Sequence, residues 1–277
     1  MTTTHSALIT GATSGLGAAV ARALAERGWH VLVHGRDPER ADKVAGEMRA
    51  AGGRVDTHLA DLSSLSQTRG LAETVSSNHA AIHLLINNAG IGPGRPPYRK
   101  RDLSADGHEL RFAVNYLAPA LLARLLVPTL RNGEAARIIN VASAGQAPID
   151  FADLRMDHRY SGTQAYYRSK LALVAFTFDL AAELADDDIT AITANCLHPA
   201  TLMNTHMVRQ SWVPPISSIA TGVRAVMNLA VEPTGAAVTG RYFDGVREAR
   251  AHGAAYDPET QSKLRAATNE ILEPFLR

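Results

Sequence analysis

Short apolar runs alternate along the chain with longer segments in which apolar side chains recur at helical spacing. The run at residues 82–86 is almost continuously apolar, which is typical of a parallel strand that is buried on both faces. Because helical patterns separate the apolar runs, the chain has the β–α order of a doubly wound α/β sheet of the Rossmann type. The pattern predicts about seven parallel strands, at residues 7–10, 30–35, 55–59, 82–86, 137–141, 189–197 and 238–243.

Cap residues and prolines mark the predicted starts of several helices. Asp37 before Pro38 is typical of an N-cap followed by proline at the first helical position, and Ser63 is the expected N-cap of the next helix. We expect a single domain over residues 1–277, with helices on both faces of the sheet and a C-terminal helical extension at about 250–277. Three long helices are predicted over residues 104–131, 166–186 and 258–272.

Composition excludes several classes of protein. A chain of 277 residues with 20% charged residues and a net charge of +1 lacks the basic bias of a nucleic-acid or anionic-membrane binder. The single cysteine, Cys196, excludes an intramolecular disulfide and fits a reducing compartment. No basic region precedes an apolar run at the N-terminus, and the most apolar stretch, residues 117–130, is shorter than a membrane span. We therefore expect a cytoplasmic protein without a membrane span.

A glycine-rich turn follows the first predicted strand and opens the first helix. Backbone N–H groups at such a helix N-terminus bind phosphate, and the glycines let the backbone approach a pyrophosphate closely. The alternative is a purely structural strand–helix junction. The residues predicted to bind a dinucleotide here are Gly11, Thr13, Ser14, Gly15, Leu16 and Gly17.

The end of the second strand bears on the choice of dinucleotide. An acidic residue at this place holds the adenosine ribose hydroxyls of NAD, whereas an arginine suits the 2′-phosphate of NADP. Gly35 occupies the expected acidic position and Arg36 follows it. The sequence therefore favours NADP over NAD, and the alternative is that Arg36 is an ordinary surface arginine.

Two further strand ends are candidates for cofactor contacts. Asp61 and Leu62 close the third strand, where Asp61 either accepts from the adenine amino group or helps to cap the following helix. The fourth strand ends in Asn88, Ala89 and Gly90, small or polar residues against which a cofactor ribose fits.

Tyr166 and Lys170 are the candidate catalytic pair. Residues four apart lie on the same face of a helix, one turn from each other. A nearby ammonium favours the phenolate and lowers the pKa of a tyrosine, which makes the pair a plausible proton donor and acceptor. Lysine is rare in this chain, with four among 28 lysines and arginines. Its presence at position 170 therefore indicates that a compact ammonium is required there rather than the planar guanidinium of arginine. The alternative is an amphipathic helix that carries both residues by chance.

Taken in order, Thr10 to Gly17, residues 87–90, Ser143 and Tyr166-x-x-x-Lys170 resemble the classical short-chain dehydrogenase/reductase family over residues 5–245. The resemblance implies that Ser143 donates a hydrogen bond to the substrate carbonyl oxygen and that Tyr166 protonates it as hydride arrives. It also implies that Lys170 binds the nicotinamide ribose, and that Asn115 holds a water that links Lys170 to solvent. Tyr167, without a lysine four residues later, has no such role.

The resemblance extends to the segment after the sixth strand. Pro199 and either Thr201 or Thr205 are expected at the nicotinamide carboxamide, although Ala200 stands where the family usually has glycine. Residues at about 198–235 resemble a substrate lid, and their apolar side chains indicate an apolar or bulky small-molecule substrate. A loop packed as a satellite core is the alternative. The C-terminal helix resembles the retinol-dehydrogenase-like branch.

Apolar helix faces and isolated histidines bear on oligomerisation and on metal binding. The family often pairs the helices of Asn115 and Tyr166 across a dimer axis, so a homodimer or homotetramer is expected. The leucines at 121, 122, 125 and 126 serve either that interface or the core. No metal site is expected, because His198 and His206 are too isolated.

The leading hypothesis is an NADP-dependent oxidoreductase that interconverts an alcohol and a ketone or aldehyde. A catalytically silent NADP(H)-binding sensor on the same fold is the alternative, since a fold alone does not establish chemistry. A sugar-nucleotide epimerase is disfavoured by the glycine spacing and by the length of the chain.

Overall fold

The computed structural model describes residues 5–186 and 192–277. Its strands form one eight-stranded sheet in the order β3-β2-β1-β4-β5-β6-β7-β8. All neighbouring strands are parallel except β7 and β8, which are antiparallel. The strands are β1 (Ser6–Ile9), β2 (His30–Gly35), β3 (Val55–Leu59), β4 (Leu84–Asn87), β5 (Ala136–Val141), β6 (Ile192–His198), β7 (Tyr242–Asp244) and β8 (Arg247–Ala249).

The helices cover both faces of this sheet, which confirms the predicted doubly wound α/β fold. One apolar cluster packs α3, α5 and α6 on one face, and a second packs α1, α2 and α8 on the other. The helices are α1 (Gly15–Ala25), α2 (Pro38–Ala50), α3 (Leu65–Asn78), α4 (Leu110–Phe112), α5 (Ala118–Arg131), α6 (Gly162–Asp186), α7 (His206–Gln210), α8 (Ile219–Ala230), α9 (Pro233–Ala237) and α10 (Pro258–Leu276).

The sheet edge differs from the prediction. The seventh strand starts at Tyr242 rather than at residue 238, because Gly240 has a positive φ of 66° and bends the backbone just before it. An eighth strand returns antiparallel after Gly245, whose φ of 61° suits the first position of a two-residue hairpin loop. The sequence prediction missed this strand because Arg247–Ala249 is short and half polar. Residues 189–191 of the predicted sixth strand lie outside the described residues.

Three predicted helix starts are also wrong, and one of them is that of α6, which begins at Gly162 rather than at residue 166. The long helix begins at Leu110 and not at Ser104, because Gly107, with a φ of 79°, closes a turn in which the Ser104 hydroxyl accepts from His108 N–H. Glu109 is the N-cap, and its carboxylate accepts from Phe112 N–H at 2.8 Å. The N-cap of α3 is Ser64 and not Ser63, whereas Asp37 caps α2 as predicted.

A π-helical turn, Ala113–Leu117, joins α4 to α5. The continuous helix Leu110–Arg131 is long and apolar enough to cross a membrane by length and composition alone, which the shorter stretch seen in the sequence was not. Most of it is buried inside the protein, where it packs against α3 and α6. Leu121, Leu122 and Leu126 are completely buried, so these side chains belong to the core.

The C-terminal helix α10 lies on α5 and α6. Asp257 caps it as predicted, and it extends to Leu276 rather than to residue 272. Tyr116 bonds to Thr268, Arg124 to Asn269, and Arg265 forms an ion pair with Asp179. The extension is therefore an integral part of the fold.

Candidate active site

The glycine-rich turn after β1 and the loop after β4 interlock at the carboxyl ends of these neighbouring strands. Thr10 Oγ1 accepts from the N–H groups of Asn88 and Ala89, each at 3.0 Å, and Asn88 Nδ2 donates to Thr10 O at 2.9 Å. A Cβ at Gly17 would lie 2.4 Å from Asn88 Nδ2, and one at Gly11 would lie 2.9 Å from Ala89 Cα. Only glycine permits this close packing, so both glycines and Asn88 fix the shape of the turn.

The N-terminus of α1 is suited to an anion. Ser14 stands at the N-cap, but its side chain makes no capping hydrogen bond, and the first turn contains no acidic residue. Ser14 is exposed, and Gly15 has a φ of 54°. The predicted residues Thr13 to Gly17 therefore surround a helix end whose N–H groups and dipole favour a phosphate.

Arg36 lies at the same edge of the sheet. A Cβ at Gly35 would come within 2.3 Å of the Thr13 methyl. Glycine is therefore needed at the position where an acidic residue would bind the adenosine ribose of NAD. Arg36 follows with an exposed side chain. Asp61 Oδ1 accepts from Ser63 N–H at 2.9 Å, so it stabilises the turn that precedes α3, whose N-cap is Ser64. The contact of Asp61 with adenine stays a prediction, and Leu62 is buried.

The four candidate catalytic residues come from three elements and meet at the carboxyl edge of the sheet. Ser143 follows β5, Tyr166 and Lys170 lie on α6, and Asn115 lies in the π-helical turn. The Ser143 side chain lies close enough to the Tyr166 hydroxyl to lower the pKa of that tyrosine. Lys170 Nζ lies 5.9 Å from the Tyr166 ring centroid and donates to Val141 O at 2.7 Å. The structure thus brings together the residues that the sequence motif predicted.

Asn115 has a structural role that the sequence did not reveal. Its side chain bonds to both backbone groups of Ile91, at 2.7 and 3.0 Å, and to Ser169 Oγ at 3.0 Å. A Cβ on Gly90 would lie 3.3 Å from Asn115 Oδ1 and 3.6 Å from Lys170 Nζ. Asn115 therefore joins the loop after β4 to the catalytic helix, directly beside Lys170.

Burial sets the protonation of the pair. It raises the pKa of Tyr166, and the nearby Ser143 side chain opposes that rise. Burial also lowers the pKa of Lys170 from 10.5 to about 8. The expected lowering of the Tyr166 pKa by Lys170 is not seen in this structure, because the ammonium bonds to Val141 O and lies beside the ring rather than at the hydroxyl.

The buried ammonium predicts a stability change. Lys170→Met removes the cost of burying the charge but leaves Val141 O without its donor, so we expect a net stabilisation of about 1 kcal/mol at neutral pH. The folded protein loses the Lys170 proton at a lower pH than the unfolded chain. The advantage of the variant should therefore shrink as pH rises from about 8 to 10.5.

Urea unfolding of the wild type and Lys170→Met, at neutral pH and near pH ~10, measures this difference directly. Groups that titrate in both proteins cancel in the comparison. A variant that is less stable than the wild type at neutral pH, or a difference independent of pH, would show that the charge on Lys170 is not costly.

The segment after β6 closes the site. Pro199 is buried at the strand end, and Thr201 Oγ1 bonds to His198 Nε2 at 3.0 Å. The Thr205 methyl lies 3.5 Å from a Cβ built on Gly15, so Thr205 is the threonine in contact with the glycine-rich turn. Of the two alternatives for the nicotinamide carboxamide, Thr205 therefore faces the predicted cofactor site and Thr201 faces His198, while the contact itself stays a prediction.

The predicted lid lies over the loop that follows β4. The side chain of Met207, on α7, lies against Gly90 and Gly92, so that a Cβ on either glycine would contact the methionine. The Tyr98 hydroxyl donates to Ser211 O at 3.2 Å. Trp212 and Ile216 are 75% and 70% exposed. The segment thus presents methionine to the site and large apolar side chains to the surface.

A buried ionic network supports the same loop, and the sequence prediction missed it. Arg111 Nη1 lies 3.1 Å from Glu109 Oε1 and donates a hydrogen bond to the Tyr160 hydroxyl at 2.7 Å. The Tyr160 hydroxyl in turn donates to Glu109 Oε1 at 2.8 Å. Arg111 also donates to Gly92 O and Pro93 O. Tyr160 lies 49 residues from Arg111, so no local pattern could have indicated this network.

The chain is similar to known dehydrogenases over most of its length. The family model described as short chain dehydrogenase matches residues 5–213. Polyprenol dehydrogenase of Mus musculus is 34% identical over 93% of this chain and 81% of its own length. Retinol dehydrogenase 14 of Mus musculus is 34% identical over 93% and 82%.

Solved structures agree with these relatives. A crystal structure of an uncharacterized protein from Mycobacterium paratuberculosis has a TM-score of 0.80 and 28% identity, and the match covers 97% of this chain and 93% of that one. A blue fluorescent protein from a metagenomic library, in complex with NADPH, has a TM-score of 0.68 and 26% identity, with 87% and 97% covered. A 3-ketoacyl-(acyl-carrier-protein) reductase from Brucella melitensis, complexed with NADH, has a TM-score of 0.66 and 26% identity, with 87% and 96% covered.

The family model covers the sequence motifs from Thr10 to Lys170, and the two curated relatives each match over 93% of the chain. The resemblance found in the sequence is thereby confirmed. The chain belongs to the short-chain dehydrogenase family of oxidoreductases, in its retinol-dehydrogenase-like branch.

Proposed function

We propose that this protein is an NADP(H)-dependent oxidoreductase that interconverts an apolar alcohol and its aldehyde or ketone. The observation that carries the proposal is that Tyr166 lies one helical turn from the buried Lys170, with the Ser143 side chain next to the Tyr166 hydroxyl. A cofactor-binding sensor has no need of an acid–base pair at this place. The alcohol and carbonyl chemistry also agrees with the names of the curated relatives.

The residues present fit a dinucleotide. The uncapped N-terminus of α1, with Ser14, Gly15, Leu16 and Gly17, would hold the pyrophosphate, because its N–H groups have no side-chain partner. Asn88, Ala89 and Gly90 would lie along a ribose of the cofactor. Thr205 and the buried Pro199, both in the segment after β6, would approach the nicotinamide of the cofactor. The cofactor supplies or accepts the hydride when it is bound.

This chain's own groups would handle the proton. Ser143 Oγ would donate to the carbonyl oxygen of the substrate and place it next to Tyr166 OH, which lies close to the Ser143 side chain. Tyr166 would give its proton to that oxygen in reduction and take it back in oxidation. Lys170 would favour the phenolate once its ammonium faces the site, and Asn115 would position Lys170 through the loop that follows β4.

The substrate class rests on the lid. Methionine is the flexible apolar side chain that fits irregular binding surfaces, and Met207 lies over Gly90 beside Lys170, whereas Met203 packs against Gly222 of α8. Polyprenol and retinol, the substrates in the names of the curated relatives, are apolar alcohols. We therefore propose a long or bulky hydrocarbon chain attached to the reacting carbon.

Location and assembly follow as further proposals. The protein would act in the cytoplasm, with Leu110–Arg131 serving as a core helix, since most of this helix is buried against α3 and α6. A homodimer or homotetramer remains a prediction. Because α10 lies on α5 and α6, such an assembly would include α10 in the contact or use another face.

Oxidation of NADPH and NADH by the purified protein, with aliphatic, aromatic and polyene aldehydes and ketones, tests the function. We expect faster turnover with NADPH than with NADH and the highest kcat/KM for long apolar carbonyls. NADPH binding without turnover on this panel would favour the sensor alternative, and preference for small polar carbonyls would contradict the substrate class.

Arg36 provides the test of cofactor choice. Hydrogen bonds to a charged group contribute about 1.5–3 kcal/mol, so Arg36→Ala should raise the KM for NADPH roughly 10- to 100-fold while leaving the KM for NADH almost unchanged. Arg40→Ala is the matched control, because Arg40 is an exposed arginine one turn further on whose guanidinium pairs with Asp37. Equal effects of the two substitutions would make Arg36 an ordinary surface residue.

A further inference from the structure

Three histidines and an aspartate lie together at the edge of the sheet opposite the catalytic residues. His30 begins β2, Asp56 and His58 lie on β3, and His79 is the C-cap of α3. The register pairs Leu32 with Asp56, so strand alternation places His30, Asp56 and His58 on one face. That face is covered by α3, whose end brings in His79.

The ligand atoms of this cluster are close. His30 Nε2 lies 2.8 Å and His79 Nε2 lies 3.9 Å from Asp56 Oδ2. All three atoms fall within 4.8 Å of one another. The His79 ring lies 5.3 Å from that of His30 and 6.0 Å from that of His58, measured between centroids.

The cluster has unused polar atoms. Nε2 of His58 and of His79 is buried without a hydrogen-bond partner within residues 5–186 and 192–277, whereas the buried Nε2 of His30 has only its 2.8 Å contact with Asp56, which lacks hydrogen-bond geometry. His30 and His58 are only 4% and 6% exposed. Such buried donors or acceptors are costly, so each requires a partner. A simple His30–Asp56 ion pair would leave His58 and His79 unexplained.

We propose that His30, Asp56 and His79 bind a divalent zinc ion, with His58 or a water molecule as the fourth ligand. Zinc is bound tetrahedrally by imidazole nitrogen and carboxylate oxygen at about 2.0–2.2 Å, which puts ligand atoms roughly 3.3 Å apart. The observed separations bracket that spacing, so small side-chain rotations complete the site. The exposed face of Asp56 provides the entry path for the ion.

The protonation states favour the ligand form. Burial lowers the pKa of His30, His58 and His79, and the charge of Arg54 adds to this effect at His30 and His79, while Asp56 opposes it. Neutral imidazole is the form that coordinates a metal. Arg54 also weakens the attraction of a cation, so Asp56 is needed to balance its charge.

The ion would be structural rather than catalytic. It would join β2, β3 and the end of α3, whereas the catalytic residues lie at the carboxyl ends of the strands. A ligand that binds only the folded state raises the melting temperature. Zinc should therefore stabilise the protein without changing kcat.

The test uses the full chain without an affinity tag, stripped with EDTA and then exposed to zinc chloride. We expect one zinc per chain after gel filtration, measured by mass spectrometry of the metal, and a melting temperature higher by about 5 °C. Asp56→Asn and His79→Gln should each lose the ion and the shift. Asp56 is half exposed, so Asp56→Asn is expected to fold.

His158→Gln is the matched control, because His158 is exposed and lies outside the cluster. It should bind zinc as the wild type does. Failure of the wild type to retain zinc would overturn the proposal, and so would zinc that Asp56→Asn and His79→Gln retain as well as the wild type. Neither result depends on the proposed enzymatic activity.

Discussion

Replacing Tyr166 with phenylalanine is expected to lower kcat by about 10³-fold, with little change in the dissociation constant of NADPH. General acid–base catalysis contributes about 10²–10⁴-fold, and phenylalanine keeps the ring while removing the hydroxyl that lies next to Ser143. Steady-state reduction of the best carbonyl in the panel measures the first quantity, and fluorescence titration with NADPH measures the second. The ring that packs beside Lys170 stays in place, so the fold should not change.

Tyr167→Phe is the matched control for this substitution. Tyr167 is the next residue on α6, its ring lies 6.0 Å from that of Tyr166, and it packs over Gly145. It does not have lysine four residues later in the sequence. We expect Tyr167→Phe to keep most of the activity. Comparable losses in the two variants would contradict the assignment of the proton to Tyr166.

The motifs of the active site could be predicted because their chemistry is local. Tyr166 and Lys170 are one helical turn apart, and the turn from Gly11 to Gly17 lies directly between a strand and a helix. Parallel strands place their carboxyl ends at one edge, so Ser143 had to lie near these residues. The grouping therefore followed from spacing and topology together.

The parts that sequence reasoning missed depend on contacts between distant segments. The roles of Asn115 and Thr205 depend on which backbone each side chain reaches, and the zinc-ligand candidates come from three separate elements. The helix start at Leu110 was missed because Ser104 resembles an N-cap, although Gly107 turns the chain first. The part of α6 from Tyr166 to Asp186, the last described residue before residue 192, was predicted because its apolar spacing is regular. Its first turn, from Gly162, was not predicted.

Breaking the buried pair of Glu109 and Arg111 is expected to cause the largest loss of stability. Their side chains are 0% and 5% exposed, and removal of one partner leaves the other charge buried without compensation. Arg111→Met should lower the free energy of unfolding by about 3–5 kcal/mol. Urea unfolding gives the value from the shift of the midpoint, provided that the slope stays constant.

The cause can be separated from simple loss of packing by a second substitution. Glu109→Gln in the Arg111→Met background removes the uncompensated charge while keeping an oxygen for Phe112 N–H, and its amide NH2 can donate to the Tyr160 oxygen in place of the second carboxylate oxygen. The double variant should therefore be more stable than Arg111→Met alone. A double variant that is less stable would show that the backbone bonds to Gly92 and Pro93, rather than the charge pair, carry the effect of Arg111.

An exposed pair on α10 provides the scale for this loss. Lys263 Nζ lies 2.6 Å from Glu259 Oε1, but both side chains are more than half exposed. Lys263→Met should cost less than about 1 kcal/mol, because solvent screens the pair. The buried arginine also holds Gly92 and Pro93, in the loop that Met207 covers, so Arg111→Met should raise the KM for the carbonyl substrate as well. If Arg111→Met were no more destabilising than Lys263→Met, the network would not anchor the loop, and the position of the loop would depend on other contacts such as those of Asn115 with Ile91.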